Sequence, residues 1–195
     1  MPETKARIRR PRMTPAREHE LLTAAADLLR EVGYEALSME GVAARARCSK
    51  VTLYRLWSSK PRLVAAAIRE LGSADLSEID TGSLRGDLIA GAEAVLSGQS
   101  FSTVAAVHNA ARTNAELDDV LRAELLDPGA EFVNRFVERA VRRGELDHHP
   151  AAAAYLPHLL FSFFGTTRFF ATYPLTLDDF VRYIDSVVMP ALLNS

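Results

Sequence analysis

A chain of 195 residues with 48% hydrophobic and 25% charged residues has the composition of a folded globular protein with room for a substantial core, which excludes a disordered chain. Its single cysteine, Cys48, excludes an internal disulfide and a thiolate zinc cluster within one chain, and fits a reducing, cytoplasmic setting. The net charge of −2 hides an asymmetry: residues 1–70 hold 14 Lys and Arg against eight Asp and Glu, and residues 71–195 hold nine against 17; a footprint for a polyanion and a merely solvated basic face both account for it.

In chain order, the first 17 residues are basic and polar, without the apolar stretch of a secretory signal. From Pro15 onward, Leu21, Leu22, Ala25, Leu28, Leu29 and Val32 recur at helical spacing and describe one amphipathic helix, which Gly33 stops. Ser38 caps a short helix running to about Ala46, and Ser49 caps another from Lys50 to about Trp57. A fourth helix starts near Ser59, tolerates Pro61 in its first turn and runs to about Leu71. Residues 72–83 are rich in Ser, Gly and Asp and read as a junction. Beyond it, helices are expected at 84–97, 101–113, 115–126, 129–143, 151–172 and 176–193, broken at Gly98, Asp127-Pro128-Gly129, Gly144 and Pro174. Pro157 implies a kink or a late start, and Thr176 caps the last helix with Asp178 and Asp179 behind it. The apolar run 159–165 is too short to span a bilayer.

The two short helices around residues 38–57 satisfy the packing requirements of a helix-turn-helix. Ala43 is the small residue where the second helix crosses closely, and Val42, Ala46, Cys48, Leu53 and Leu56 fill the wedge between the helices. The outer face of the second helix is left to Lys50, Thr52, Tyr54 and Arg55. A helix of this size fits a major groove, where phosphates on either side attract bases and hydroxyls.

The stretch 21–63 resembles the TetR family of transcriptional regulators. The motifs are LLTAAADLLREVGYEALSMEGVA and then ARARCSKVTLYRLWSSKPRLV: the Gly33-Tyr34 turn, the Ser38-Met39 start, Ser49-Lys50, Thr52-Leu53-Tyr54-Arg55, Trp57 and Ser59-Lys60. The segments AVRRGEL (140–146) and LLFSFFGTTRFFATYPLTLDDFVRYIDSVV (159–188) resemble a subgroup of its C-terminal domains more loosely. The resemblance implies an all-α fold. A three-helix DNA-binding domain would span residues 1–58, with an arm over 1–13 and a recognition helix over about 50–56; a larger helical effector-binding and dimerisation domain would span 59–195. It implies a homodimer on double-stranded DNA. The most direct reading is a repressor released from a near-palindromic operator by a small apolar or aromatic effector; the alternatives are an activator, or control by a protein partner.

Carried over residue by residue, the resemblance places Lys50, Val51, Thr52, Tyr54 and Arg55 in the major groove. Tyr54, Lys60 and the helix start capped by Ser38 would hold phosphates. Arg55, Lys50 and Thr52 are then the candidates for sequence specificity. The arm Lys5 to Arg12 reads either as a minor-groove arm or as a solvated tail. Two departures stand out. The family usually has glycine in the turn where this chain has Arg47, which costs about 1 kcal/mol if φ is positive there and is offset if Arg47 touches phosphate. Val51 replaces a small residue and could meet a thymine methyl.

Other residues support weaker expectations. Cys48 reads as packing rather than as a redox sensor. His148 and His149 are adjacent, point apart and lack a third ligand, so no metal site is expected. Phe101, Val104, His108, Phe132, Phe136, Tyr155 and His158 are candidate walls of an effector pocket, and each also reads as ordinary core. In the aromatic cluster Phe161, Phe163, Phe164, Phe169 and Phe170, some residues must be core. Phe161, Phe164 and Arg168, with Phe180 and Ile184 of the last helix, are candidates for a dimer face. No Walker-type glycine loop, Gly-x-Ser-x-Gly elbow or His-Glu-x-x-His motif occurs, so no catalytic residue and no cofactor is expected, and a helical enzyme or carrier is the remotest reading.

Overall fold

The computed structural model describes residues 13–72, 78–97, 107, 109–170 and 176–195; the side chains of 71, 72, 97 and 164–170 are left aside. All regular structure among the described residues is helical. Helix α1 spans Pro15–Ala36, α2 Met39–Arg45, α3 Lys50–Trp57, α4 Lys60–Gly72 and α5 Leu84–Ser97. Helix α6, Ala115–Leu121, passes through a π-helical turn, Arg122–Leu126, directly into α7, Asp127–Arg142. A 3₁₀ turn, Ala151–Tyr155, leads into α8, Leu156–Phe170, so Pro157 sits at a late start as expected. Helix α9, Leu177–Tyr183, runs through a second π turn, Ile184–Val188, into α10, Met189–Leu193.

Short-range chemistry sets most of the helix starts. Side chains of Thr14, Ser38, Ser49 and Asn114 each accept from the backbone N–H three residues on, at 3.0–3.2 Å. Thr176 and Asp179 form a reciprocal capping box, and Arg182 also donates to Asp179. Gly33, at φ 74° and ψ 173°, interrupts α1 with a conformation that only glycine adopts readily.

The expected break at Asp127-Pro128-Gly129 does not occur. Pro128 cannot donate to the carbonyl four residues back, and its ring crowds the preceding turn. The helix widens instead of ending: the Asp127 N–H reaches five residues back, to the Arg122 carbonyl. The same solution recurs before Pro190, where Met189 N–H bonds to the Ile184 carbonyl. Residues 115–142 therefore form one continuous helical rod.

Two apolar cores divide the chain. The first holds α1 to α4 together with Val107, Ala110, Ala111 and the α6 residues Leu117, Val120 and Leu121. The second holds α5, α7, α8, α9 and α10, around Phe136, Phe180 and Ile184. Leu63 to Ile68 of α4 are buried in the first core. Helix α4 belongs with the N-terminal helices. The 115–142 rod belongs to both cores: its α6 end lies in the first, its α7 end in the second, and the π turn lies between them.

The second core is tied to the last residues of the junction by a buried charge network. Asp87 is fully buried and accepts from Thr81 N–H (2.7 Å), Thr81 Oγ1 (2.8 Å), Arg139 (3.2 Å) and Arg143 (3.3 Å). Arg139 also donates to the Ile79 carbonyl, and Arg143 to Asp80 and Glu145.

Candidate nucleic-acid interface

The first core exists to hold α3 with one face out. Leu53 and Trp57 of α3 are buried in one cluster with Val42 and Ala43 of α2 and Ala46 just past its end, with Cys48 and Leu56 packed at the margin. Burial pushes the Cys48 thiol above its ordinary pKa although Arg17 opposes the shift, so little thiolate forms, in keeping with a packing role.

The turn between α2 and α3 is closed by two bonds: Arg47 N–H to the Ala44 carbonyl (3.3 Å) and Cys48 N–H to the Ala43 carbonyl (2.9 Å). This is a Schellman motif, which calls for a left-handed residue at its penultimate position. Gly144 fills that position at the end of α7, with φ 74° and the same bond pattern. Here it is Arg47, at φ 49°. The condition attached to Arg47 by the sequence is therefore met. Arg17 of α1, which sequence reasoning missed, clamps the turn by donating to the carbonyls of Ala46 (2.5 Å) and Arg47 (3.4 Å).

The outward face of α3 carries the expected residues in different states. Val51 is 75% exposed and Tyr54 43% exposed, an unusual display of apolar surface on a short basic helix. Arg55 and Arg47 are exposed. Thr52 is half-buried, and its hydroxyl lies 2.8 Å from that of the capping Ser49. Lys50 is hydrogen bonded to Glu40 of α2 and lies 5.6 Å from the Tyr54 ring centroid. Ser38 is exposed at the α2 N-terminus. Lys60 is half-buried over the Tyr34 ring; burial lowers its pKa, while Glu35 opposes that.

Helix α3 ends in a tight turn. Ser58 has φ 60° and ψ −41°, bridged by a 2.6 Å bond from Ser59 N–H to the Trp57 carbonyl, a strained γ-type geometry. Beside it, an open cleft of about 130 Å³ runs between α4 and the π turn of the rod, lined by Trp57, Ser58, Arg62, Arg69 and Glu124. Glu124 bridges the gap, 3.3 Å from Arg62 and 3.8 Å from Arg69.

The chain is matched over residues 21–67 by the family model described as bacterial regulatory proteins, tetR family, and over 78–187 by the tetracyclin repressor-like C-terminal domain. It is 36% identical over 181 residues, covering 92% of this chain and 89% of the relative, to an uncharacterized HTH-type transcriptional regulator of Mycobacterium tuberculosis.

The chain belongs to the TetR family.

It is a helix-turn-helix transcriptional regulator, not an enzyme, and regulators of this family bind DNA and are typically dimers. A further relative, the DNA-binding transcriptional repressor TetR of Mycobacteroides abscessus, is 36% identical over 156 residues, covering 74% of this chain and 82% of the relative. Two solved structures share the fold. The TetR family transcription regulator SCO0332 superposes with TM-score 0.69 at 22% identity, over 90% of this chain and 97% of that one. MexZ, a repressor responsible for antibiotic resistance in Pseudomonas aeruginosa, superposes with TM-score 0.62 at 21% identity, over 93% and 100%. Among the described residues no helix is long and apolar enough to cross a membrane.

The candidate effector and dimer residues are placed less uniformly. Phe132 and Phe136 pack edge to face at 4.6 Å inside the second core, while Tyr155 is 66% exposed and His158 is exposed. The last two face solvent on the protomer, Tyr155 at the end of the 3₁₀ turn and His158 in the first turn of α8. Phe101, Val104 and His108, and the arm Lys5 to Arg12, lie outside the described residues. Phe161 is 43% exposed and packs near Gly129, as a dimer-face residue can. Phe180 and Ile184 are buried in the protomer's own core, where Phe163 of α8 meets Phe180 at 5.2 Å and stacks on Tyr183 at 4.7 Å. The side chains of Phe164 and Arg168 lie outside the described residues.

Proposed function

We propose that this regulator is a homodimeric repressor whose two α3 helices enter successive major grooves of a near-palindromic operator, and that a small apolar or aromatic effector in the second core releases it. The observation that carries the reading is the face of α3. Lys50, Val51, Tyr54 and Arg55 stand clear of both cores, and Val51 has no use on its own protein for its exposed methyls. A thymine methyl is the apolar partner a major groove offers, and Arg55 beside it suits a guanine edge. Ser38, Arg47, Tyr54 and Lys60 flank this face as phosphate contacts, which set register rather than sequence. The relative in Mycobacteroides abscessus, named a DNA-binding repressor, favours repression over activation.

Two reading heads on one dimer need their recognition helices about 34–36 Å apart. Phe161, Val187 and Leu193 are exposed apolar side chains on the last helices and supply surface for pairing. Release follows from the rod: a ligand that binds one setting of the second core better shifts residues 115–142, and Glu124 passes the shift to α4 and thence to α3.

The test is a titration of the purified dimer against its own upstream DNA and random duplex across salt concentration, with Tyr54→Phe and Lys60→Ala alongside. Tight binding to one near-palindrome, steeply weakened by salt and by Lys60→Ala, is expected. Equal, weak binding to both duplexes, followed by failure to select any sequence from a random pool, overturns the reading.

A further inference from the structure

The bases of the helix-turn-helix are not equally available. Arg45 forks onto Glu31 of α1 through bonds of 2.5 and 2.6 Å, whereas Arg47 and Arg55 form no ion pair among the described residues. Lys50, the first residue of α3, is held by Glu40, the second residue of α2. Both side chains are about half exposed, at 48% and 60%, so neither core needs the pair. The Glu40 carboxyl is held below the usual carboxylate range by the bond from Lys50, so the pair is ionised throughout the neutral range. It sits between the capped start of α2 and the groove-facing start of α3, where a carboxylate is the wrong charge for a phosphate backbone.

We propose that Glu40 is a specificity-determining residue that acts through Lys50: it keeps the lysine from adding indiscriminate attraction and presents it, still paired, to a base edge. The proposal rests on the reading that α3 enters the major groove. A free lysine at the start of α3 strengthens binding to any duplex, because phosphate attraction carries no sequence information. Pairing with Glu40 cancels that attraction on random DNA, since exchanging a carboxylate for a phosphate gains little and leaves Glu40 facing the backbone. On the operator no exchange is needed: the ammonium has three N–H groups, so it keeps Glu40 and donates another to acceptors on a base edge, such as the O6 and N7 of guanine. Glu40 thus narrows the range of DNA that is held, and Lys50 and Tyr54 do the touching.

The experiment compares wild type, Glu40→Gln, Lys50→Ala, Arg55→Ala and the double variant Glu40→Gln/Lys50→Ala. The probes are the tightest duplex that wild type selects from a random pool and a random duplex of equal length. Glu40→Gln is expected to tighten binding to random duplex by about two- to five-fold, the range of an exposed ion pair. Its effect on the selected duplex is expected to be smaller, so the ratio of affinities falls, and the salt slope on random duplex steepens by about one phosphate contact. In the Lys50→Ala background the fall in ratio disappears. A Glu40→Gln effect equal on both duplexes, or undiminished without Lys50, overturns the proposal. Failure of the underlying reading looks different: Lys50→Ala and Arg55→Ala then leave binding to the selected duplex unchanged.

Discussion

The Lys60 ammonium lies 4.1 Å from the centroid of the Tyr34 ring and 3.4 Å from the Glu35 carbonyl. The start of α4 is thereby fastened to the end of α1, just past the break at Gly33. An ammonium held over a ring keeps its charge but loses freedom, which suits a phosphate contact whose entropy is already spent. Replacing Tyr34 by Leu frees the lysine without touching DNA. Operator binding by Tyr34→Leu is expected to weaken several-fold with the salt slope unchanged, whereas Lys60→Ala weakens binding and flattens the slope by about one contact. Titrations at four salt concentrations separate the two.

Gly33 and Arg47 make an opposed pair of backbone predictions. Both have positive φ, but a Cβ on Gly33 meets nothing within 4 Å, so any cost of Gly33→Ala is conformational. That substitution is expected to destabilise by about 1–3 kcal/mol in denaturant unfolding. Arg47→Gly relieves a left-handed residue and is expected to stabilise by about 1 kcal/mol while loosening DNA binding. A variant that is both more stable and a better binder would remove Arg47 from the interface.

How much of this was legible beforehand follows from the range of the interactions. Caps at Ser38, Ser49 and Thr176 act over three residues, and the wedge around Leu53 repeats at helical spacing, so the helix-turn-helix could be read from the chain. The missing glycine at Arg47 announced its own strain. What escaped acts over distance or by degree. Arg17 reaches the turn from 29 residues away and Glu124 reaches Arg62 across 62, and neither leaves a local pattern. Pro128 looked like a break because a proline forbids the ordinary helical bond, and nothing local distinguishes a chain that ends there from one that widens. An apolar helical stripe looks the same whichever neighbour covers it, so the burial of Phe180 and Ile184 within the protomer leaves no mark in the sequence.

Glu124 should behave as a coupling residue. It is 23% exposed, sits at the π turn where the rod leaves the first core, and meets both Arg62 and Arg69 of α4. Glu124→Gln keeps the shape and removes the charge. Operator affinity is expected to fall several-fold with an unchanged salt slope, because no phosphate contact is lost, and with little change in thermal midpoint, because the pair is partly solvated. A flattened slope would place the lost contact on DNA instead.

Asp87 yields the sharpest stability prediction. Burial alone pushes its carboxyl pKa up, but bonds from Thr81 N–H and hydroxyl and from Arg139 and Arg143 outweigh burial and bring it below the ordinary value. A carboxylate with a lowered folded pKa contributes stability above its unfolded pKa, about 3.9, and loses it as pH falls through the folded value. The second core is therefore expected to hold through pH 4 and to weaken only below it. Asp87→Asn leaves Arg139 and Arg143 facing a neutral amide and is expected to cost about 3–5 kcal/mol at pH 7, the range for breaking a buried pair by removing one partner. The same substitution flattens the acid limb of the stability curve. Urea unfolding of wild type and variant between pH 3 and 7 checks both: a constant difference across that range would show that Asp87 acts through packing rather than charge.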